Sequence, residues 1–136
     1  PIRVTRVGDR RAPTKVLVVG AIHGNERAGV AVVRRLRSHP IRQPRVELWL
    51  VHDLNPDGGA AGTRQNARGV DLNRNFPDAW RGGGRPFATH YPGPRPLSEP
   101  ESRLAARLVR RLDIAGRDAP VFMGMLRQIL WKLEEG

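Results

Sequence analysis

The sequence predicts an α/β domain, and three observations predict it. Lys15–Gly20 and Val46–Val51 are apolar, β-branched runs of strand length, the pattern of strands covered on both faces. Between them Ala28, Val32, Val33 and Leu36 recur at helical spacing among arginines. A chain of 136 residues has room for one such core and not for two.

Taken in order, Ile2 to Val7 alternates apolar and polar residues and is broken by Gly8-Asp9, so a first strand runs into a turn. Lys15–Gly20 reads as a central parallel strand. The helix over about 26–37 is closed by Ser38-His39-Pro40, because proline cannot continue it. Val46–Val51 reads as a further buried strand, with the helix as the crossover between parallel neighbours. Residues 55–98 are rich in Gly, Pro, Asn and Arg and show little periodicity, a long loop of the kind that carries function. Ser98-Glu-Pro-Glu101 has a capping serine, proline in the first turn and a glutamate three residues on, which starts a helix. Leu104, Leu108 and Leu112, with Ala105 and Val109, give that helix one apolar stripe. From Asp113 onward Val121, Phe122, Met125, Leu126, Ile129, Leu130 and Leu133 recur at helical spacing, so the tail is expected to be an amphipathic helix.

Composition narrows the function classes. Hydrophobic residues make up 39% and charged residues 27%, as in a globular chain, and no apolar run approaches the ~18 residues of a membrane span. Cysteine is absent, which excludes disulfides, thiolate metal sites and cysteine nucleophiles. The first residue is Pro1, so a cytoplasmic protein and one secreted after removal of an upstream signal both stay open. The net charge is +11, carried by 22 arginines and only 2 lysines. A genome bias explains that choice, and the clusters at Arg34, Arg35, Arg37 and at Arg103, Arg107, Arg110, Arg111 read as solvated helix faces. Seven aromatics and no recognisable motif argue against nucleic acid as a partner.

Chemistry concentrates in a few places. His23 and Glu26 stand three apart directly after a strand, a spacing that lets an imidazole and a carboxylate face one metal such as zinc. The bland alternative is a helix start with an acid in its first turn. Asn55-Pro-Asp-Gly58 is a turn signature at a strand end. Gly69-Val-Asp-Leu-Asn-Arg-Asn-Phe-Pro77, preceded by Arg64, gathers residues that could stabilise an oxyanion (Arg64) and pair with a carboxylate (Asn73, Arg74), or merely make loop salt bridges.

As an ordered set, His23-x-x-Glu26, Asn55-Pro-Asp-Gly58, Arg64, Asp71-Leu-Asn-Arg-Asn75, Tyr91-Pro-Gly-Pro and Ser98-Glu-Pro-Glu101 closely resembles the zinc carboxypeptidase family, nearest its bacterial murein peptide amidase-like branch. The resemblance implies a three-layer α/β fold with a mixed, mainly parallel sheet, of which residues 1–112 form the N-terminal portion and 113–136 a divergent tail. It implies Zn2+ as cofactor, with His23 and Glu26 matching the first two ligands. Arg64 matches the arginine that polarises the scissile carbonyl, and Asn73 and Arg74 match the pair that holds the substrate's terminal carboxylate. The implied reaction is hydrolysis of a C-terminal residue from a peptide, a peptidoglycan-derived one in the sense of that branch, by a zinc-activated water.

The pattern departs from the family further on. The third zinc histidine, the substrate tyrosine and the general-base glutamate have no match, and no histidine follows His90. Glu134 and Glu135 fall on the expected tail helix and do not read as the base. His39 reads as a helix-end residue, while His52, His90 or water stay open as third ligand. A shortened chain or a change of frame near Asp113 would account for the departure. The competing reading is a noncatalytic remnant that binds carboxylate-ended peptides or nothing. A sheet cut short would also leave an open edge, to be covered by the tail helix within one chain or across a homodimer.

Overall fold

The computed structural model describes residues 1–40, 45–78 and 80–112. Three strands, β1 (Val4–Gly8), β2 (Thr14–Val19) and β3 (Val46–Val51), form a mixed sheet in the order β1-β3-β2. β3 runs antiparallel to β1, with Val4 opposite Val51 and Gly8 opposite Glu47. It runs parallel to β2, with Thr14 opposite Val46 and Val19 opposite Val51. The sequence expectation of β2 as the central strand is therefore corrected. Among the described strands β3 is central and β2 lies at an edge, consistent with burial of all of β3 after Val46 while the first three residues of β2 are only half-buried.

Helix α1 (Ala28–Ser38) is the crossover between β2 and β3, as expected, and begins two residues later than its apolar spacing suggested. Arg35 and Arg37 occupy its last turn, where cations favour the helix dipole. His39 sits at its C-cap, so it is the helix-end residue the sequence indicated. One face of the sheet, with Val18, Leu48 and Leu50, packs on Val33 and Leu36 of α1. The opposite face, with Leu17, Trp49 and Val51, packs on Ala105, Leu108 and Val109 of α3 (Pro100–Arg111) and on Leu72 and Phe76 of the intervening segment. Strict alternation along β3 thus builds three layers from one strand.

Glu47 is fully buried, yet Arg6 Nε donates to its Oε1 at 2.7 Å and Lys15 Nζ lies 3.0 Å from Oε2. Burial would raise its pKa, but these partners hold it below the ordinary carboxylate value. The charge is tolerated because β1 and β2 each bring a cation to the central strand.

Residues 55–98 are less uniform than expected. They contain α2 (Pro56–Ala61) and a short 3-10 turn at Leu72–Arg74. Both are set by caps rather than apolar faces. Asn55 Oδ1 accepts from Gly58 N at 3.0 Å, and Gly62 closes α2 in the left-handed conformation that glycine allows. Ser98 is not the cap of α3. Glu99 holds that position, while Ser98 Oγ accepts from Asn75 Nδ2 and donates to Glu99 Oε1, both at 2.8 Å. Pro100 opens the helix as its fixed φ predicts. No helix among the described residues is long and apolar enough to cross a membrane. The expected tail helix and its part in a dimer lie outside the described residues.

Candidate active site

The site lies beyond the carboxyl ends of the parallel pair β2 and β3, where α/β sheets commonly place ligands. The segments leaving the two strands are stitched together. Leu54 N donates to Gly20 O at 2.8 Å and Asn55 N to Ala21 O at 3.1 Å. Gly24 N reaches Arg64 O at 3.3 Å, joining the His23–Glu26 turn to the segment that carries Arg64. Gly24 must be glycine because an added Cβ would lie 2.0 Å from Gly58 C.

Three of the side chains that the sequence singles out, His23, Arg64 and His90, meet at one that it left without a role. Asp71, fully buried, accepts from His23 through Oδ1 at 3.0 Å and from Arg64 Nε through Oδ2 at 3.0 Å. Its Oδ1 also takes the backbone N–H of Asn73 at 3.0 Å, so the same carboxylate orders the start of the Leu72–Arg74 turn. Burial alone would raise the Asp71 pKa, but the hydrogen bonds and charges of His23 and Arg64 override it and bring it down to about 2. Asp71 is thus a fixed anion at neutral pH. A signal for it was available in the sequence, since it is the acid between apolar Val70 and Leu72 in a segment otherwise read for its amides and arginines.

His23 is almost wholly buried, with Nε2 on Asp71 and Nδ1 3.1 Å from Glu26 Oε1. Because Asp71 only accepts, the network assigns the proton of a neutral His23 to Nε2 and leaves the Nδ1 lone pair facing a carboxylate oxygen. An imidazole lone pair and a carboxylate oxygen at that distance are two donors that one metal ion can share. Glu26 Oε2 is likewise buried without a hydrogen-bond partner among the described residues. His23 Nδ1 and the Glu26 carboxylate therefore fit a zinc ion as two of its ligands, and Asp71 is the carboxylate that orients such a histidine from behind. Among the described residues no group of three His, Cys, Asp or Glu could hold a metal, so a third protein ligand is not found there.

Arg64 leans toward the same point, with Nη1 3.6 Å from Glu26 Oε1. Asn73 is buried beside Asp71, and Arg74 is half-buried and makes no ion pair among the described residues. Asn75 ties this segment to α3. Its Nδ2 reaches Pro92 O at 2.7 Å, and its Oδ1 accepts from Ser102 Oγ at 2.6 Å.

The substitute histidines separate. His52 is placed toward α1, where burial and then the charges of Arg37 and Arg34 push its pKa down, and the bonds that His23 makes run to Asp71 and Glu26 instead. His90 does approach the site, with Nδ1 3.5 Å from Asp71 Oδ2. It meets the carboxylate on the Arg64 side, not at His23 Nδ1.

Residues 1–123 match the family described as zinc carboxypeptidase. Murein peptide amidase A of Escherichia coli (strain K12) is 34% identical over 113 residues, covering 73% of this chain and 45% of that protein. Carboxypeptidase SOL1 of Arabidopsis thaliana is 36% identical over 93 residues, covering 57% of this chain and 19% of its own length. Among solved structures, the murein-tripeptide amidase MpaA of Escherichia coli O157 aligns with a TM-score of 0.53 at 32% identity, over 79% of this chain and 48% of that one. The carboxypeptidase A of Helicoverpa armigera aligns with a TM-score of 0.64 at 21% identity, over 81% of this chain and 34% of that one, a likeness of fold. The chain spans about half the length of the murein peptide amidases it matches. With the matched residues and the carboxylate-held His23 beside Glu26 both in place, the chain belongs to the zinc carboxypeptidase family.

Proposed function

We propose that residues 1–112 are the N-terminal portion of a zinc-dependent peptide hydrolase that removes a C-terminal residue, with a peptidoglycan-derived peptide as the first substrate to try. The observation that carries this reading is the convergence of His23, Glu26 and Arg64, two of them through the single buried carboxylate of Asp71. The murein peptide amidases among its relatives support the substrate class.

Zinc held by His23 and Glu26 would supply a water ionising near pH ~7 and a Lewis acid for a carbonyl. The chain's own residues do the rest. Asp71 fixes the ring of His23 and removes its freedom to rotate away. Arg64, tethered at Nε, keeps its remaining N–H groups for the oxygen of the scissile carbonyl, where charge grows in the transition state. Asn73 and Arg74 bind the terminal carboxylate, for which an arginine that makes no ion pair among the described residues is suited.

Incubation with zinc and a carboxylate-ended peptide is expected to release the C-terminal residue, with release stopped by a chelator. Arg64→Ala is expected to lower the rate by about 10²–10³-fold, the worth of one oxyanion donor. The absence of a third metal ligand among the described residues favours a second reading, a noncatalytic binder of carboxylate-ended peptides. Peptide binding that a chelator leaves unchanged, without release of product, would support that reading instead.

A further inference from the structure

His90 is the one site-lining histidine to which the proposed function gives no task. Its Nδ1 lies 3.5 Å from Asp71 Oδ2, the oxygen that also takes Arg64 Nε, while its side chain remains 62% exposed. The segment that carries it is pinned rather than loose. Gln65, next to Arg64, donates through Nε2 to Phe87 O at 3.3 Å and Ala88 O at 3.0 Å. Phe87 N donates to Gly69 O at 2.9 Å, and Tyr91 O accepts from Asp71 N at 2.9 Å, so the segment is bound on both sides of His90. Phe87 is held at φ +67°, a conformation unfavourable for a bulky residue, and the residue is 61% exposed. Such strain persists only where surrounding contacts over-determine it, and it concentrates where ligands are clamped.

We propose that His90 is a substrate-contacting residue on the rim of the site, presenting Nε2 as an acceptor for an N–H group of the bound peptide. Asp71 accepts from Arg64 through Oδ2, so the tautomer of His90 that donates to the same oxygen carries its proton on Nδ1 and keeps the Nε2 lone pair available on a largely exposed ring. His90 Nδ1 and Arg64 Nε share Asp71 Oδ2, so the imidazole adjoins the guanidinium that addresses a carbonyl oxygen. A peptide bond offers both groups, the oxygen for Arg64 and a neighbouring N–H for His90. The inference rests on the proposed peptide-binding reading of this site.

Two isosteric replacements separate the ring nitrogens. His90→Gln keeps a polar atom near the position of Nε2, while His90→Asn keeps a donor near the position of Nδ1. Trialanine binding is measured by calorimetry on chelator-stripped protein, so that no hydrolysis intervenes. His90→Asn is expected to weaken binding about tenfold, the value of one hydrogen bond, and His90→Gln about twofold or less. The reverse order would show that His90 acts only by supporting Asp71, and no effect from either would show no contact. Both results overturn the proposal. Arg74→Ala serves as the reference for the pocket itself. If it weakens binding while His90→Asn does not, the His90 contact fails and the pocket stands. If neither Arg74→Ala nor His90→Asn alters binding, or the unaltered chain binds no trialanine, the peptide-binding reading fails with it.

Discussion

Asp71→Ala is expected to destabilise the fold by about 3–5 kcal/mol, because it removes one side of a buried ionic cluster and strands the other. Asp71 is fully buried and is the common acceptor of His23 Nε2, Arg64 Nε and Asn73 N. The same substitution leaves His23 free to change tautomer and rotate, so zinc affinity should fall about 10–100-fold in whatever fraction remains folded. Thermal unfolding measures the first effect and zinc titration below the melting temperature the second. Asp71→Asn separates them. It keeps the volume and one acceptor oxygen, so it is expected to recover part of the stability while zinc affinity stays low. Full zinc affinity in Asp71→Asn would mean that His23 does not depend on this carboxylate.

Gly24→Ala is expected to cost about 3 kcal/mol or more, although it adds a single methyl group to a turn. That methyl would sit 2.0 Å from Gly58 C, 2.4 Å from Gly59 N and 2.5 Å from Gly58 Cα. All three are backbone atoms of α2, and α2 cannot retreat. Its cap Asn55 is bonded to Gly58 N, and a Cβ on Gly58 would itself lie 2.4 Å from Gln65 O, a sign of how closely the next segment is packed. The turn carrying His23 and Glu26 must move instead, so metal binding should weaken together with the melting temperature. A Gly24→Ala protein with unchanged melting temperature would show that α2 is not packed against this turn.

Much of the architecture was legible because period and length are local properties. Val46–Val51 matched its strand residue for residue, and the apolar stripe of α3 predicted which of its residues face the sheet. Strand order was not legible. Both β2 and β3 are apolar runs, and only pairing shows that β3 enters between β1 and β2. Helix α2 escaped notice because its six residues, Pro-Asp-Gly-Gly-Ala-Ala, have no apolar face and are organised by the Asn55 cap. Ser98 looked like a cap because residue type and spacing allow it, but its hydroxyl is claimed by Asn75 from far away in sequence.

The candidate site divides in the same way. His23 and Glu26 are three residues apart, so their mutual approach follows from local spacing, and the structure brings them to 3.1 Å. Asp71 lies 48 residues from His23, and its place between apolar Val70 and Leu72 marks a buried acid without showing which side chains it holds. His52 and His90 could not be ranked from sequence either. Each follows a plausible segment, but one is placed toward the arginines of α1 and the other reaches Asp71.

The most direct test of the account is a calorimetric zinc titration of the chelator-stripped chain beside a His23→Ala, Glu26→Ala double variant. The account predicts one zinc per unaltered chain and loss of that binding in the variant. Binding of equal stoichiometry and affinity in both would contradict it, since zinc would then be held somewhere other than His23 and Glu26.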